Sequence, residues 1–167
     1  PNNDSFISWQ WKAASSNTTN TDGTITSVVR ANPTAGFSIV NYSATASNAT
    51  VGHGLGVAPS MIIVKCLTYA GQDWAVYHKS LGNTYGIQLD TTAAASVITN
   101  YWNSTSPTSS VFTIGVDAST NDGNPMVAYC WAAIPGYSAF GSYTGNASTY
   151  GPFVYLGFRP RWIMIKR

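Results

Sequence analysis

The chain has 167 residues, which suits one domain or two small halves packed together, and a domain of this size needs no metal or disulfide to fold. Only 8% of the residues are Asp, Glu, Lys or Arg, against about 25% in a usual soluble domain, and Ser, Thr and Asn account for 51 residues. This composition excludes two classes of partner: half of the eight Lys and Arg residues lie within 159–167, so no basic patch for nucleic acid is present, and no run approaches the roughly 20 apolar residues of a membrane span.

Short runs rich in β-branched and aromatic residues follow one another along the chain and predict β-strands. Clusters of Gly, Pro, Asn, Asp and Ser separate them. In chain order the predicted strands are 6–11, with Ile7, Trp9 and Trp11 on one face, 25–30, 37–42, 60–67, 74–78, 85–89, 111–116, 126–134, 137–143, 153–158 and 161–166. Residues 91–100 predict a loop or a strand entry, and residues 13–23 a mobile segment. The pattern predicts an all-β fold, an antiparallel two-sheet sandwich of jelly-roll or related type, as a single domain over residues 1–167.

One segment of the chain occurs twice. Residues 36–65 return as residues 136–166 with one inserted residue, Gly141, and ten of the thirty aligned positions are identical. Each copy predicts a strand, a polar turn, a second strand, a Gly-x-x-Pro corner and an apolar strand that ends in Lys. The main anchors are Gly36/Gly136, Ser38/Ser138, Tyr42/Tyr143, Leu55-Gly56/Leu156-Gly157, Pro59/Pro160, Ile62/Ile163 and Lys65/Lys166. Internal duplication is typical of structural and binding scaffolds.

We expect the last strand of each copy to lie at the centre of the core. Residues 61–64 and 162–165 are continuous apolar runs, which are typical of strands covered on both faces. We therefore expect the two copies to stack against each other. The residues predicted to lie in the core are Leu55, Ile62, Leu156 and Ile163.

Residues 117–123 resemble a calcium-binding loop, because oxygen-bearing side chains occupy alternate positions. However, the glycine falls one place late and no Glu closes the loop. A loop whose Asp and Asn side chains cap their own backbone explains the pattern better. We expect no metal ion and no cofactor.

The chain offers little for catalysis. It contains no Glu, its six Asp residues mostly occupy turn-like positions, and no Gly-x-Ser-x-Gly motif is present. His53 lies among glycines, and Val154 replaces it in the second copy, so the corner does not need the imidazole. We therefore predict no catalytic residue and no enzymatic activity. A polysaccharide-degrading enzyme that uses Asp90 stays as the alternative from another class.

Cys66 and Cys130 both lie in apolar strand-like runs. Two free buried thiols are the favoured interpretation and a disulfide is the alternative, since sequence spacing alone does not place the two residues side by side.

Aromatic residues make up 13% of the chain, and exposed rings can stack on the apolar faces of sugars while amides bind the hydroxyls. Tyr101, Trp102 and Asn103 lie between polar loops. These three residues are the predicted ligand-binding surface. Packing in the core or in a subunit interface is the alternative for any one ring.

Five segments together resemble a repeat-containing domain of structural proteins of tailed bacteriophages, especially marine and cyanobacterial ones. They are GHGLGVAPSMIIVK, DWAVYHKSLG, VAYCWA, GSYTGN and GFRPRWIMIKR. In that family segments of the form GLG-x-x-P-x-x-(I/V)-x-x-K recur, often beside sugar-binding-like modules. The resemblance extends from about Trp9 to Arg167. It implies a virion component and carries over no catalytic residue.

From the resemblance we expect a tail fibre or tail-associated adhesin located in the virion, outside the cell, with other virion proteins as partners. Host surface polysaccharide is the expected ligand of such an adhesin. A capsid-decorating protein and a bacterial cell-surface adhesin fragment are the alternatives. We also expect a homo-oligomer, with a trimer favoured, and a chain that is a processed product or a piece of a longer polypeptide.

Overall fold

A computed structural model of the chain describes Ser5 and residues 8–167. Ile7, predicted to share a face with Trp9 and Trp11, lies outside the described residues. The strands are β1 (Thr18–Asn20), β2 (Ser27–Asn32), β3 (Phe37–Ser43), β4 (Ala49–Gly52), β5 (Met61–Cys66), β6 (Ala75–His78), β7 (Tyr85–Gln88), β8 (Ser96–Val97), β9 (Val111–Ile114) and β10 (Pro125–Trp131). A 3₁₀ turn spans Pro33–Ala35, and a four-residue helix, α1, spans Ala118–Asn121.

The strands form two antiparallel sheets. The large sheet has eight strands in the order β1-β2-β3-β10-β5-β6-β7-β8, and the small sheet pairs β4 with β9. Strand β10 is central, because it pairs with β3 along one edge and with β5 along the other. The predicted all-β, antiparallel two-sheet sandwich is confirmed.

The main core lies between the two sheets. Val40, Ile62 and Val64 project from the large sheet and pack with Val51 and Phe112 of the small one, and all five are fully buried. The strand predicted over residues 61–64 is covered on both faces, because Met61 and Ile63 are buried in a second cluster on the opposite side of the large sheet. The core predictions for Leu55 and Ile62 are confirmed.

The second copy of the repeat behaves differently from the first. Residues 36–65 form β3, β4 and β5, whereas residues 139–166 contain no strand, and the strands predicted at 137–143, 153–158 and 161–166 are wrong. The core prediction is also wrong for Leu156, which is half-buried, and for Ile163, which is exposed. The physical reason is pairing: β3 and β5 both bond to β10, and no described strand pairs with the second copy.

Among the residues that the structure describes, no helix has the length and apolar character needed to cross a lipid bilayer.

Candidate functional site

The outer face of the large sheet, which points away from the small sheet, carries two rows of apolar side chains. In each row a β10 residue lies between partners on β3 and β5, because successive side chains of a strand point to opposite faces. The rows are Phe37, Trp131 and Met61, and Ile39, Tyr129 and Ile63. The rings of Phe37 and Trp131 lie 5.2 Å apart, centroid to centroid. This face is therefore an aromatic and aliphatic platform.

Two segments from opposite ends of the chain meet over this platform. The ring of Trp11 lies 5.7 Å from Trp131 and 6.3 Å from Phe37, and it contacts Trp162 edge-to-face at 5.2 Å. Trp9 contacts Trp162 in the same geometry at 6.1 Å. Aromatic pairs at such distances contribute about 0.5–1.5 kcal/mol each beyond the area that they bury. The contacts hold both end segments against the sheet.

Between the platform and the two segments lies an open space of about 600 Å³, which we call the aromatic groove. Its lining residues are Trp9, Gln10, Trp11, Phe37, Ile39, Met61, Ile63, Trp74, Leu89, Tyr129, Trp131, Trp162 and Met164. Apart from Gln10 they are all aromatic or aliphatic, and none is charged. Ligand pockets commonly combine such an apolar lining with a few polar groups, so the groove is the candidate functional site.

One polar atom of the groove has no partner. The indole Nε1 of Trp131 is buried, and no acceptor within the described residues reaches it. A buried N–H donor without an acceptor costs about 1–3 kcal/mol.

One end of the groove is held by polar contacts. The backbone N–H of Trp74 donates to Asp90 Oδ1 at 3.0 Å, which fixes the base of that indole. Lys166 Nζ donates to the carbonyl of Thr91, just beyond Asp90. Lys166 thus anchors the C-terminal segment to the edge of the large sheet.

The structure places the predicted sugar-binding residues elsewhere. Tyr101 and Trp102 are only 2% and 1% exposed, and Trp102 packs against Tyr77 at 5.7 Å in the main core. The prediction that both rings are exposed is therefore wrong, because the loop after β8 turns them into the space between the sheets. Asn103 alone is exposed, with a left-handed φ of 48°. No described contact brings these three residues to the groove.

Both histidines support loops. His53 is fully buried, its Nδ1 accepts from the Leu55 N–H at 3.2 Å, and its Nε2–H donates to the Thr108 carbonyl at 3.2 Å. Burial lowers the pKa of His53, against the opposing effects of Thr108 and Asp22. Both ring nitrogens are thus used within the fold. Burial and the charge of Lys79 also lower the pKa of His78.

Residues 117–123 form a self-capped loop, as the sequence predicts, and include helix α1. Asp117 Oδ1 accepts from the Ser119 N–H at 2.9 Å, and Asp122 Oδ1 accepts from the Asn124 N–H at 2.9 Å. Burial tends to raise the pKa of Asp122, but several hydrogen bonds, led by the one from the Asn124 N–H, together outweigh it and hold the pKa below its usual value. Among the described side chains, no three His, Cys, Asp or Glu come together as a metal site.

Asn121 is the buried centre of this region and was missed by sequence reasoning. Its Oδ1 accepts from the N–H groups of Thr45 and Ala46, and its Nδ2 donates to the carbonyls of Ser47 and Gly115. The amide thereby clamps the turn between β3 and β4, more than 70 residues away in sequence. Its position in an apparent turn motif concealed this role.

The two cysteines are free and buried, as favoured from the sequence. Cys66 lies opposite Met126, four residues from Cys130 along β10, and four strand residues span roughly 13 Å. A disulfide needs a Cα–Cα distance of about 4.4–6.8 Å. Burial raises the pKa of the Cys130 thiol, which keeps it protonated.

The sequence contains a signal for the groove, although it does not identify the groove as a site. Along β3 and β10, apolar side chains point to both faces of the sheet. Other residues of the protein must therefore cover each face. Trp9 and Trp11 were placed on one face, and both line the groove. The residues that form the groove are evident only from the strand register, which places Phe37, Trp131 and Met61 in one row.

One family matches the chain over residues 1–167, and it is described as a domain of unknown function, DUF7483. No curated protein and no solved structure matches the chain.

Proposed function

We propose that this chain, which belongs to the DUF7483 family, is a non-catalytic structural module of a virion, of the tail-fibre or adhesin type. In this proposal the module acts outside the cell and attaches to neighbouring virion proteins through the aromatic groove. The main observation behind this proposal is the lining of the groove, which is uncharged and mostly aromatic or aliphatic. The groove encloses about 600 Å³, and the two end segments cover it only in part.

The chemistry of the groove favours attachment to protein. Large exposed apolar surfaces on soluble domains commonly mark protein interaction sites, and Trp and Tyr dominate the energetics of such interfaces. A neighbouring chain that brings apolar side chains would fill the space. This partner chemistry suits packing within a particle.

The carboxylates support a structural role. Each of the five described Asp side chains accepts a hydrogen bond from another residue of the fold: Asp22 from Asn20, Asp73 from Gln88, Asp90 from Trp74, Asp117 from Ser119 and Asp122 from Asn124. A glycosidase normally directs two carboxyl groups at one bond. Cleavage of a polysaccharide by the chain, lost on Asp90→Asn, would instead establish the enzymatic alternative.

Host surface polysaccharide is a second candidate ligand, and the rim of the groove favours it. Trp9 and Trp162 are 59% and 39% exposed, their rings lie 6.1 Å apart, and the polar Gln10 is adjacent. Flat exposed rings beside an amide can stack on a sugar and bind its hydroxyls. In a trimer, avidity among three weak sites would strengthen attachment.

The experiment measures incorporation of the module into particles. The variant Trp9→Ser/Trp162→Ser removes both rim rings, and the control Tyr69→Ser/Val97→Ser removes two exposed apolar side chains that do not line the groove. We expect at least a roughly tenfold loss of the rim variant from purified particles, with the control retained. The rim variant should still melt cooperatively, at a temperature lowered only by the loss of the Trp9–Trp162 and Trp11–Trp162 contacts. Equal incorporation of rim variant and control would contradict the proposed attachment.

A glycan array with the same two variants tests the second candidate. Binding of one glycan class by the wild type and the control, with loss in the rim variant, would assign the sugar to the groove. Immunogold electron microscopy separates the remaining alternatives. Gold on the head alone of intact particles would favour the capsid-decorating alternative. Gold on bacterial cells but not on particles would favour a cell-surface adhesin.

A further inference from the structure

We propose that residues 136–166 are an interaction surface for a β-strand partner. They form an unpaired second copy of the β3–β4–β5 unit, and the partner that fits them carries the strand pattern of residues 67–131, with a β10-like strand inserted between 137–143 and 162–166.

The turns of the second copy already have the geometry of the first. Left-handed φ angles occur at three equivalent pairs of positions: 62° and 74° at Gly36 and Gly136, 56° and 54° at Ala46 and Ala147, and 75° and 77° at Gly56 and Gly157. A left-handed alanine is uncommon and costs about 1–2 kcal/mol. Its recurrence at Ala46 and Ala147 indicates that the second copy is organised for the same fold.

One face of the second copy is exposed where the first copy is buried. Ile62 and Val64 are fully buried, whereas their equivalents Ile163 and Ile165 are 64% and 66% exposed. The opposite face is already used, because Trp162 and Met164 line the aromatic groove, as their equivalents Met61 and Ile63 do. The uncovered face is therefore the one that β4, β9 and their neighbours cover in the first copy.

Much of the backbone of the second copy is also unpaired, although Tyr137 and Ser138 bond locally to Ile134. Within the described part of the chain, no backbone-to-backbone hydrogen bond involves residues 152–167. In the first copy, β10 supplies these bonds to both β3 and β5. An exposed segment with a strand-like sequence and free N–H and C=O groups can pair with an added strand.

The register of the first copy predicts how the partner strand lies. Ala128 of β10 sits opposite Val40 and Val64, and Cys130 sits opposite Ser38 and Ile62. The equivalent sites of the second copy lie opposite Phe140 and Ile165, and opposite Ser138 and Ile163. The partner strand thus needs small side chains at two alternate positions, because Phe140 and Ile165 flank the first position and Ile163 lies beside the second.

A clamp for the turn is missing in the same way. In the first copy, Asn121 accepts from the Thr45 and Ala46 N–H groups and donates to the Ser47 carbonyl. In the second copy, the equivalent turn at 146–148 has local bonds only. The Ser148 N–H donates to Asn146 Oδ1 at 3.1 Å, and the carbonyl and hydroxyl of Ser148 accept from the N–H groups of Gly151 and Tyr150. The predicted partner therefore also carries an Asn121-like amide ahead of its β10-like strand.

A second copy of this chain does not meet these requirements. Both edges of its β10 are occupied by its own β3 and β5. Direct pairing of two 161–167 segments would also bring Arg161, Lys166 and Arg167 of both copies together, and like charges facing each other across strands destabilise. The partner is therefore a separate strand-bearing unit with few cationic residues.

The first experiment completes the second copy artificially. Residues 67–131 are joined a second time directly after Arg167, since Arg167 aligns with Cys66. A matched control carries Ala128→Asp and Cys130→Asp in the added segment only. We expect hydrogen exchange of amides 162–166 to slow at least about 100-fold in the first fusion and to stay fast in the control. Fast exchange at 162–166 in both fusions would overturn the proposal.

The second measurement keeps the proposal testable if the fusion aggregates. A synthetic peptide of residues 124–132 with Cys130→Ser is titrated into the unmodified, ¹⁵N-labelled chain, with a scrambled peptide as control. We expect chemical-shift changes at amides 138–143 and 162–166 with the first peptide alone. No change at both segments, or a wild-type dimer in sedimentation that Ile163→Asp dissociates, would overturn the proposal.

Discussion

Ile62 and Ile163 occupy equivalent positions of the duplicated segment, yet Ile62 is fully buried and 64% of Ile163 is exposed. The residues before them, Met61 and Trp162, both line the aromatic groove. The two segments therefore use one face in the same way, toward the aromatic groove, but differ in the burial of the other face. The difference follows from β10, which pairs with the first copy alone.

The two isoleucines give a matched pair of substitutions. Ile62→Asp places a charge in the sealed core, so we expect a loss of more than about 4 kcal/mol and no cooperative thermal melting. Ile163→Asp changes an exposed side chain, and we expect a stability change within about 0.5 kcal/mol. Cooperative melting of Ile62→Asp near the wild-type temperature would show that this core is assigned wrongly.

The Asn121 clamp predicts a large effect from a small change. Asn121→Ala removes four hydrogen bonds and leaves the Thr45 and Ala46 N–H groups without their acceptor, so we expect a loss of about 2–4 kcal/mol in urea unfolding. Asn124→Ala is the control, since that side chain bonds to the neighbouring Asp122. Equal urea midpoints for the two variants would rule out the clamp.

The stability of the fold should decrease in mild acid. Because burial lowers the pKa of His53 below its ordinary value of 6.5, the unfolded chain binds the proton first as the pH falls. The contribution of neutral His53 to the free energy of unfolding is fully present above about pH 6.5. It is lost as the pH falls toward the pKa of His53 in the folded chain. Urea midpoints between pH 7.5 and 5 measure this loss.

His53→Gln should flatten that pH dependence more than His78→Gln, because His53 is fully buried and His78 is half-buried. An unchanged slope in His53→Gln would contradict the assignment of the effect to this imidazole.

The thiols should be inert in the folded protein. Cys66 and Cys130 are buried, and burial raises the pKa of Cys130, so little thiolate is present to react. We expect no reaction of the native chain with a disulfide reagent at pH 8, and two reactive thiols per chain in guanidinium. Rapid labelling of the native chain would show that one thiol is accessible.

Much of the fold could be predicted from the sequence, because alternation and turn residues locate β2, β3, β5, β6, β7, β9 and β10 within a few residues. The duplication misled the prediction for residues 136–166. An apolar strand pattern indicates that a segment is able to pair in a sheet. Whether the segment does pair depends on the presence of a partner strand such as β10. Local sequence cannot reveal that partner.

The candidate site was harder to predict. Tyr101 and Trp102 have polar neighbours in sequence, but the loop that holds them folds inward, which only tertiary contacts decide. The groove joins Trp9, Trp131 and Trp162 from distant parts of the chain. Its existence depends on the register of three strands and on the positions of two end segments.

The most direct test of the proposed virion role is immunogold electron microscopy of intact particles, with an antibody against an exposed loop such as residues 104–110. The account predicts gold on the tail or its fibres. Even labelling of the head would replace host attachment with capsid decoration. Absence of gold from every particle, with the antibody shown to bind the folded chain, would contradict the virion role itself.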